Sequence, residues 1–597
     1  MNTNTVRIGG ASGFWGDASI ATAQLLADEV DFLVYDYLAE VTMSILARAR
    51  GKSANAGFAA DFVEAAMAPS LKHIAEKHVK VLANAGGVNP RACAQALRRE
   101  ISAQGLSLRV AVVLGDDLMA QSSAFQGRGV KDMFSNAAFP AADRVASINA
   151  YLGAFPIAAA LDAGADIVVT GRCVDSALTL GACIHRFGWG VDDFDRLAAG
   201  SLAGHILECG TQATGGNFTD WESVATTLVD AGYPIAEIEP SGEFICTKPE
   251  RTGGIVNVGT VAEQLLYEIG DPTSYILPDV VCDFSGVNVE AAGVDRVRVS
   301  GARGSAPTDS YKVSATFEDG FRGGEQWTVY GRDAEKKARV IAETALLRAR
   351  RALKAKKLAD FTETSIEIIG AETHYGAARR IQKPREVQLK LAVKHAEEQG
   401  VATLFKEFVG TGLSAPPGLT SFAGGRPRPS PVIRLFSFLI PKQEVVVTVE
   451  MDDRKVPWTP APVRKGPIVK FLPQIPPESP QEEALATVSL EQLAWARSGD
   501  KGDFANIGVI ARKRAYMPYI WKALTPQRVA DRFVHFLKGP VERFYLPGPP
   551  AINFLLHDVL GGGGVASLRA DPQGKGYAQI LLEEIIEIPA ALLEEKK

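Results

Sequence analysis

Eighteen residues, Gly204 to Trp221, concentrate most of the chemistry visible in this chain: His205, Glu208, Cys209, Gln212, Asn217 and Asp220 stand among four glycines and three threonines. Histidine titrates near neutrality, carboxylates give or take protons, and glycine amides can approach a developing oxyanion closely. The stretch is too poor in large aliphatics for a core strand or an amphipathic helix, so an ordered, glycine-rich loop is expected. Glu208, Asp220 and His205 are then candidate acid–base groups. Gly215 and Gly216 are candidate oxyanion donors, and Gln212 and Asn217 candidate substrate contacts. The plainer alternative, His205 and Asp220 as hydrogen-bond braces of the loop, stays open. Cys209 is the alternative nucleophile, but Glu208 beside it would raise its thiol pKa, which favours a buried structural cysteine. A divalent metal held by His205, Glu208 and Asp220 is left open, without the support of a tight ligand spacing.

About thirty residues earlier, Thr170-Gly-Arg-Cys-Val-Asp-Ser offers Arg172 and Asp175. An arginine can grip a carboxylate with two parallel hydrogen bonds while the aspartate serves as base or orienter. The alternative for Asp175 is a helix N-cap. A second polar cluster lies near the C-terminus, Ser498-Gly-Asp-Lys-Gly-Asp-Phe-Ala-Asn506, where Asp500, Lys501 and Asn506 are candidate ligand contacts and a charged hairpin turn is the alternative. Four consecutive glycines, Gly561 to Gly564, suggest a close backbone approach. Arg426 and Arg428, stiffened by prolines, are candidate phosphate contacts.

These residues need a scaffold, and the first 170 residues supply one. Apolar strands at 6–9, 32–35, 79–83, 109–114 and 166–170 alternate with helical patterns, the signature of a parallel sheet covered on both faces. Ligands bind off the carboxyl ends of such strands. Those ends carry polar or glycine-rich loops at 9–17, 36–40, 84–89, 115–117 and 171–176. The first loop mimics a dinucleotide fingerprint, yet Gly10, Gly13 and Gly16 have the wrong spacing, and Phe14 and Trp15 stand where backbone should meet a pyrophosphate.

The fold class expected is α/β: an N-terminal parallel sheet flanked by helices over 1–224, a mixed α+β region over 225–452, a proline-rich linker over 453–486 and a small α+β module over 487–597. A net charge of −5 provides no basic footprint for nucleic acid. No apolar run reaches the ~20 residues that span a bilayer. Six cysteines without a C-x-x-C pair argue against a disulfide framework or a structural zinc. The N-terminus lacks the pattern of a signal peptide, so a cytoplasmic location is expected.

The motifs G-H-I-L-E-C-G-T-Q-A-T-G-G-N-F-T-D-W, T-G-R-C-V-D-S-A, N-A-G-G-V-N-P and S-G-D-K-G-D-x-x-N-I-G-V together resemble the acyclic terpene utilisation (AtuA-like) family, over nearly the whole chain. The resemblance implies a ferredoxin-like C-terminal module and a place in the catabolism of citronellol- and geraniol-type terpenes and branched acids through CoA thioesters. With the residues above, it implies a lyase, a hydro-lyase or C–C lyase, acting by acid–base chemistry on a branched or carboxylated acyl-CoA or a polycarboxylate. A double-bond isomerase and a non-catalytic acyl-CoA- or acid-binding subunit are the alternatives. No cofactor is firmly implied; CoA would enter as part of the substrate. The partners expected are a small-molecule substrate and further copies of the chain, as a homo-oligomer.

Overall fold

The computed structural model describes residues 5–593 except 18, 423–424, 426, 453, 461, 463–470, 472–473, 477, 479–484 and 565. The N-terminal strands are β1 (Val6–Ser12), β2 (Phe32–Tyr35), β3 (Lys80–Ala83), β4 (Val110–Leu114), β5 (Val145–Ala150) and β6 (Ile167–Thr170), followed by β7 (Ile235–Ile238) and β8 (Phe244–Thr247). Five of them form a parallel array in the order β1-β2-β3-β6-β4. Every residue of β2 and β6 is buried, as strands covered by helices on both faces must be.

The same sheet grows antiparallel at both edges, to eleven strands. β7 pairs with β1, β8 with β7, and the hairpin Asn288–Gly293/Arg296–Ser300 follows; Thr448–Met451 pairs with β4 at the far edge. The segments 1–224 and 225–452 therefore share one sheet. They share the second sheet as well. Its spine is the long strand Ser310–Tyr330, which β5 and Ser430–Pro441 flank along its first half and Glu386–His395 along its second. Alternation along β5 and the spine turns Ser147 and Asn149, and Ser314 and Thr316, to a common polar face, where Ser147 and Thr316 hydroxyls lie 2.6 Å apart. The basic run at 334–358 forms the helix Ala334–Ala355, with Ile341, Ala345 and Ala349 buried on one stripe, as a solvated amphipathic helix requires.

The C-terminal module is a four-stranded antiparallel sheet, with Ala494–Lys501, Phe504–Ala511, Ala551–Leu556 and Val541–Leu546 adjacent in that order, covered by short helices. Residues 551–556, which carry a helical pattern in sequence, are a strand: nearly all are buried between the hairpin and its covering layer, and burial on both faces erases the alternation that marks a strand. Much of the proline-rich linker lies outside the described residues.

The module docks through polar contacts that are fully buried. Arg497 pairs with Glu263 at 2.9 Å, the side chains 4% and 0% exposed. Asn506 and Asn553 donate to the carbonyls of Leu266 and Ile269. Gly499 and Gly508 admit Tyr267, Glu268 and Leu266 at distances a Cβ would obstruct. Among the described residues no helix is long and apolar enough to cross a membrane.

Candidate functional site

The carboxyl ends of the parallel strands converge on Arg172. Asp116, at the end of β4, accepts the Arg172 backbone N–H at 2.8 Å and the Asn149 amide at 2.9 Å, and burial raises its carboxyl to about 7. The loop after β6 can pass this close because residue 171 is glycine; a Cβ there would stand 2.3 Å from the Asp116 carboxylate. The Arg172 guanidinium, 4% exposed, donates to Asp175 at 2.6 Å and to the Cys173 carbonyl, and stacks 4.3 Å from the Tyr151 ring centre. Asp175 is therefore an ion-pair partner; the helix that follows, Ala177–Phe187, has Ser176 at its N-cap. Since Arg172 is already paired, its grip on a substrate carboxylate would be indirect, through the field it imposes.

The loop after β2 and the helix that follows it supply two carboxyls with opposite tendencies. Asp36 accepts from Asn84 at the end of β3, and burial, aided by Asp175 and Glu208, raises its carboxyl well above the usual range, with Arg172 opposing. Glu40 accepts from the Tyr151 hydroxyl; burial works against its charge, but Lys312 and Arg172 outweigh that and hold it at about 2. The first is held toward its protonated form and the second is a carboxylate.

His205 and Glu208 reach this group from a helix, which overturns the expectation of a loop. Phe194–Leu207 is a 14-residue helix buried on nearly all sides in its second half. Small residues let it pack without an apolar stripe, and Gly204 lies where a Cβ would meet the Ser176 backbone at 2.7 Å. Glu208 caps the helix and its carboxylate lies 2.8 Å from His205 Nδ1. Burial opposes charge on the imidazole, yet Glu208 more than offsets it, so the pair holds its shared proton tightly. The glycines of the first loop serve packing: Cβ atoms at Gly10 and Gly13 would strike the Leu207 and Cys209 backbones at 2.7 and 2.9 Å. Burial and then Glu208 push the Cys209 thiol well up, in keeping with a structural cysteine.

The second half of the same stretch turns away from the site. Gly215 and Gly216 both donate their amides to the Thr211 carbonyl, so neither is free for an oxyanion. Arg497 of the module donates to the Gly216 carbonyl and the Gln212 side chain. Asp220 is clamped by Arg512 at 2.5 and 2.8 Å and by the Trp495 indole at 2.7 Å, and Arg512 lowers its pKa. Asn217 is exposed in a left-handed turn. These residues join the C-terminal module to the body. With Asp220 so engaged, His205, Glu208 and Asp220 do not converge, and no cluster of three metal-ligating side chains occurs among the described residues.

The module nonetheless returns one group to the site. Lys501, at the tip of its first hairpin, is exposed, yet its charge is felt by His205, Glu208 and Lys312, and its amine lies 6.0 Å from the Tyr275 ring centre. A small cavity lies beside these groups, lined by Glu40, Asn149, Tyr151, Arg172 and Ser314. The glycine run fixes the tip: Leu560 and Gly562 donate to Asp503, and a Cβ at Gly563 would stand 2.0 Å from the Gly502 carbonyl. Asp500 pairs with Lys575 at 3.2 Å, and burial, then Glu268, raises it to about 6. Asn506 is a docking residue, bonded to Leu266, Asn553 and the Glu268 amide. Arg426 lies outside the described residues; Arg428 is exposed, and among the described residues no contact joins it to this group.

Asp36, Glu40, Asn84 and Asp116 belong to strand-end loops that the sequence marks as polar, so the loops were visible and their key members were not. Tyr151 and Lys312 come from the second sheet, and nothing in their local sequence points to this cavity.

No curated protein and no solved structure matches the chain. Residues 488–587 match the AtuA ferredoxin-like domain. Residues 6–451 match the acyclic terpene utilisation family protein AtuA, and with the match extending over most of its length the chain belongs to that family.

Proposed function

We propose that the chain is a cytoplasmic enzyme of acyclic terpene or branched-acid degradation, a lyase that moves protons on a carboxylated or CoA-linked small molecule at the carboxyl end of the parallel sheet. One observation carries this reading: Asp36, in the loop after β2, and Glu40, the first residue of the helix that follows, have proton affinities driven in opposite directions around a shared Arg172. Carboxyls separated in this way let one donate a proton while the other stays an anion beside it, and with a third group to take protons they suit hydration, dehydration and C–C cleavage next to a carbonyl. Asp36 is the general acid. Glu208, with His205 behind it, is the second proton-transfer group, and Asp175 is oriented by Arg172. Lys501, reaching in from the module, offers an exposed cation for the substrate's carboxylate or phosphate.

The test is conversion. Purified full-length protein incubated with branched and carboxylated acyl-CoAs, followed by mass, should show gain or loss of water or of an acyl fragment, and Asp36→Asn should abolish it while leaving the far-UV CD spectrum intact. Thermal stabilisation by these compounds without any mass change would replace the enzyme with a binding subunit.

A further inference from the structure

We propose that Lys312 is a carbonyl-capturing amine, so that the substrate of this site is a ketone or aldehyde carrying an anionic group and is held as an iminium during bond cleavage. The inference rests on the lyase reading above and narrows its substrate class. Lys312 lies on the spine of the second sheet beside β5, where its carbonyl accepts the Tyr151 N–H at 3.0 Å. Its side chain is part-exposed, and its amine lies 3.9 Å from the Glu40 carboxylate and 4.8 Å from the centre of the Tyr151 ring, the ring on which Arg172 also stacks. Lys501 and Asp175 act on it electrostatically. A partly buried lysine with other cations close by is the setting that turns an ammonium into a nucleophile. Burial outweighs the opposing pull of Glu40, and with Lys501 and Arg172 adding their repulsion it brings the Lys312 ammonium down to about 8.

The chemistry balances without an oxidant or reductant. The neutral amine adds to the carbonyl carbon to give a carbinolamine. A proton drawn from solvent carries the hydroxyl away as water, leaving an iminium that accepts the electron pair of the adjacent C–C or C–H bond when it breaks. The severed partner leaves as CO2, as a carbonyl compound or as a proton, the enamine left behind takes a proton from solvent at carbon to become the product iminium, and water hydrolyses that to the product carbonyl and the free amine. Glu40, an anion throughout, stabilises the iminium beside it.

Reductive trapping tests this. Full-length protein treated with acetoacetate and sodium cyanoborohydride, digested and mapped by mass, should carry one reduced adduct, on the Lys312 peptide. It should be absent from Lys312→Arg, and its yield should rise through a pH near 8. In Lys501→Gln the overall yield should fall with the lost contact to the acetoacetate carboxylate, while the inflection itself should move upward, because losing a neighbouring cation lets Lys312 keep its proton longer. No adduct, adducts spread over surface lysines, or an unchanged yield in Lys312→Arg would overturn the proposal. The acid–base reading is judged separately, by turnover in Asp36→Asn, which the trapping does not require.

Discussion

Glu208 and Asp220 stand twelve positions apart in one polar stretch, and each is a carboxylate paired with a nitrogen base, yet they do different work. Glu208 ends a buried helix, shares a proton with His205 and feels Asp175 and Lys501. Asp220 is part-exposed and spends both oxygens on Arg512 and Trp495 of the C-terminal module. What separates them is the short helical turn Gly210–Thr214, after which the chain has left the sheet and become a docking strip. Residue type alone therefore nominates both, and only the partner of each carboxylate says which faces the Arg172 group and which holds the module in place.

The widest separation between the two regions should appear in turnover. Glu208→Gln keeps the side chain's shape but removes its ability to transfer a proton, and a lost acid–base group costs ~10²- to 10⁴-fold in rate. Steady-state kinetics on a converted acyl-CoA measure it. If Glu208→Gln retains turnover within a few-fold, the helix-end pair is a structural brace and the contrast with Asp220 collapses.

Next in size is the cost of breaking the dock where it is driest. Arg497→Met leaves Glu263, 0% exposed, as an uncompensated buried charge. Removing one partner of such a pair costs about 3–5 kcal/mol, whereas replacing both is often close to neutral. Chemical denaturation should thus show a large loss in Arg497→Met and a substantial recovery in Arg497→Met/Glu263→Gln.

A smaller effect separates the Arg172 end of the sheet by its pH response. Asp116 has a folded pKa near 7, raised by burial from its ordinary value. Between those two values the folded state binds more protons than the unfolded one, so the stability this group contributes is present in acid and is lost as pH rises through about 7. Thermal unfolding of the wild type should fall more steeply between pH 5 and 8 than that of Asp116→Asn, by a few kcal/mol at most. Parallel slopes would place Asp116 as an ordinary ionised carboxylate.

The parallel array was legible because continuous apolar strands alternate with helices, and the polar loops at 36–40, 84–89, 115–117 and 171–176 do line the site, since every parallel strand delivers its C-terminal loop to the same edge. Two physical facts hid the rest. A helix buried on all sides carries no amphipathic period, so Phe194–Leu207 reads as a glycine-rich loop from its last turn onward. Contacts between distant segments leave no local trace: Lys312 comes to Glu40 because β5, which takes no place in the first sheet, pairs with the spine of the second. Gly215 and Gly216 misled for a related reason, because glycine amides look equally free in sequence whether they face a ligand or close a turn on Thr211.

The smallest effect is also the sharpest test of the division. Asp220→Asn removes the charge opposite Arg512 but leaves an oxygen to accept from the Trp495 indole. Because the pair is part-exposed, solvent screening limits its worth to about 1 kcal/mol. The expected result is a slightly lowered midpoint of unfolding, with kcat and KM unchanged at temperatures below it. Since Lys501 sits on the same module that Asp220 helps to hold, a rise in KM confined to Asp220→Asn and mirrored by Lys501→Gln would show that docking sets the position of the hairpin tip. A fall in kcat instead, equal to that of Glu208→Gln, would return Asp220 to the chemistry and erase the boundary at Gly210.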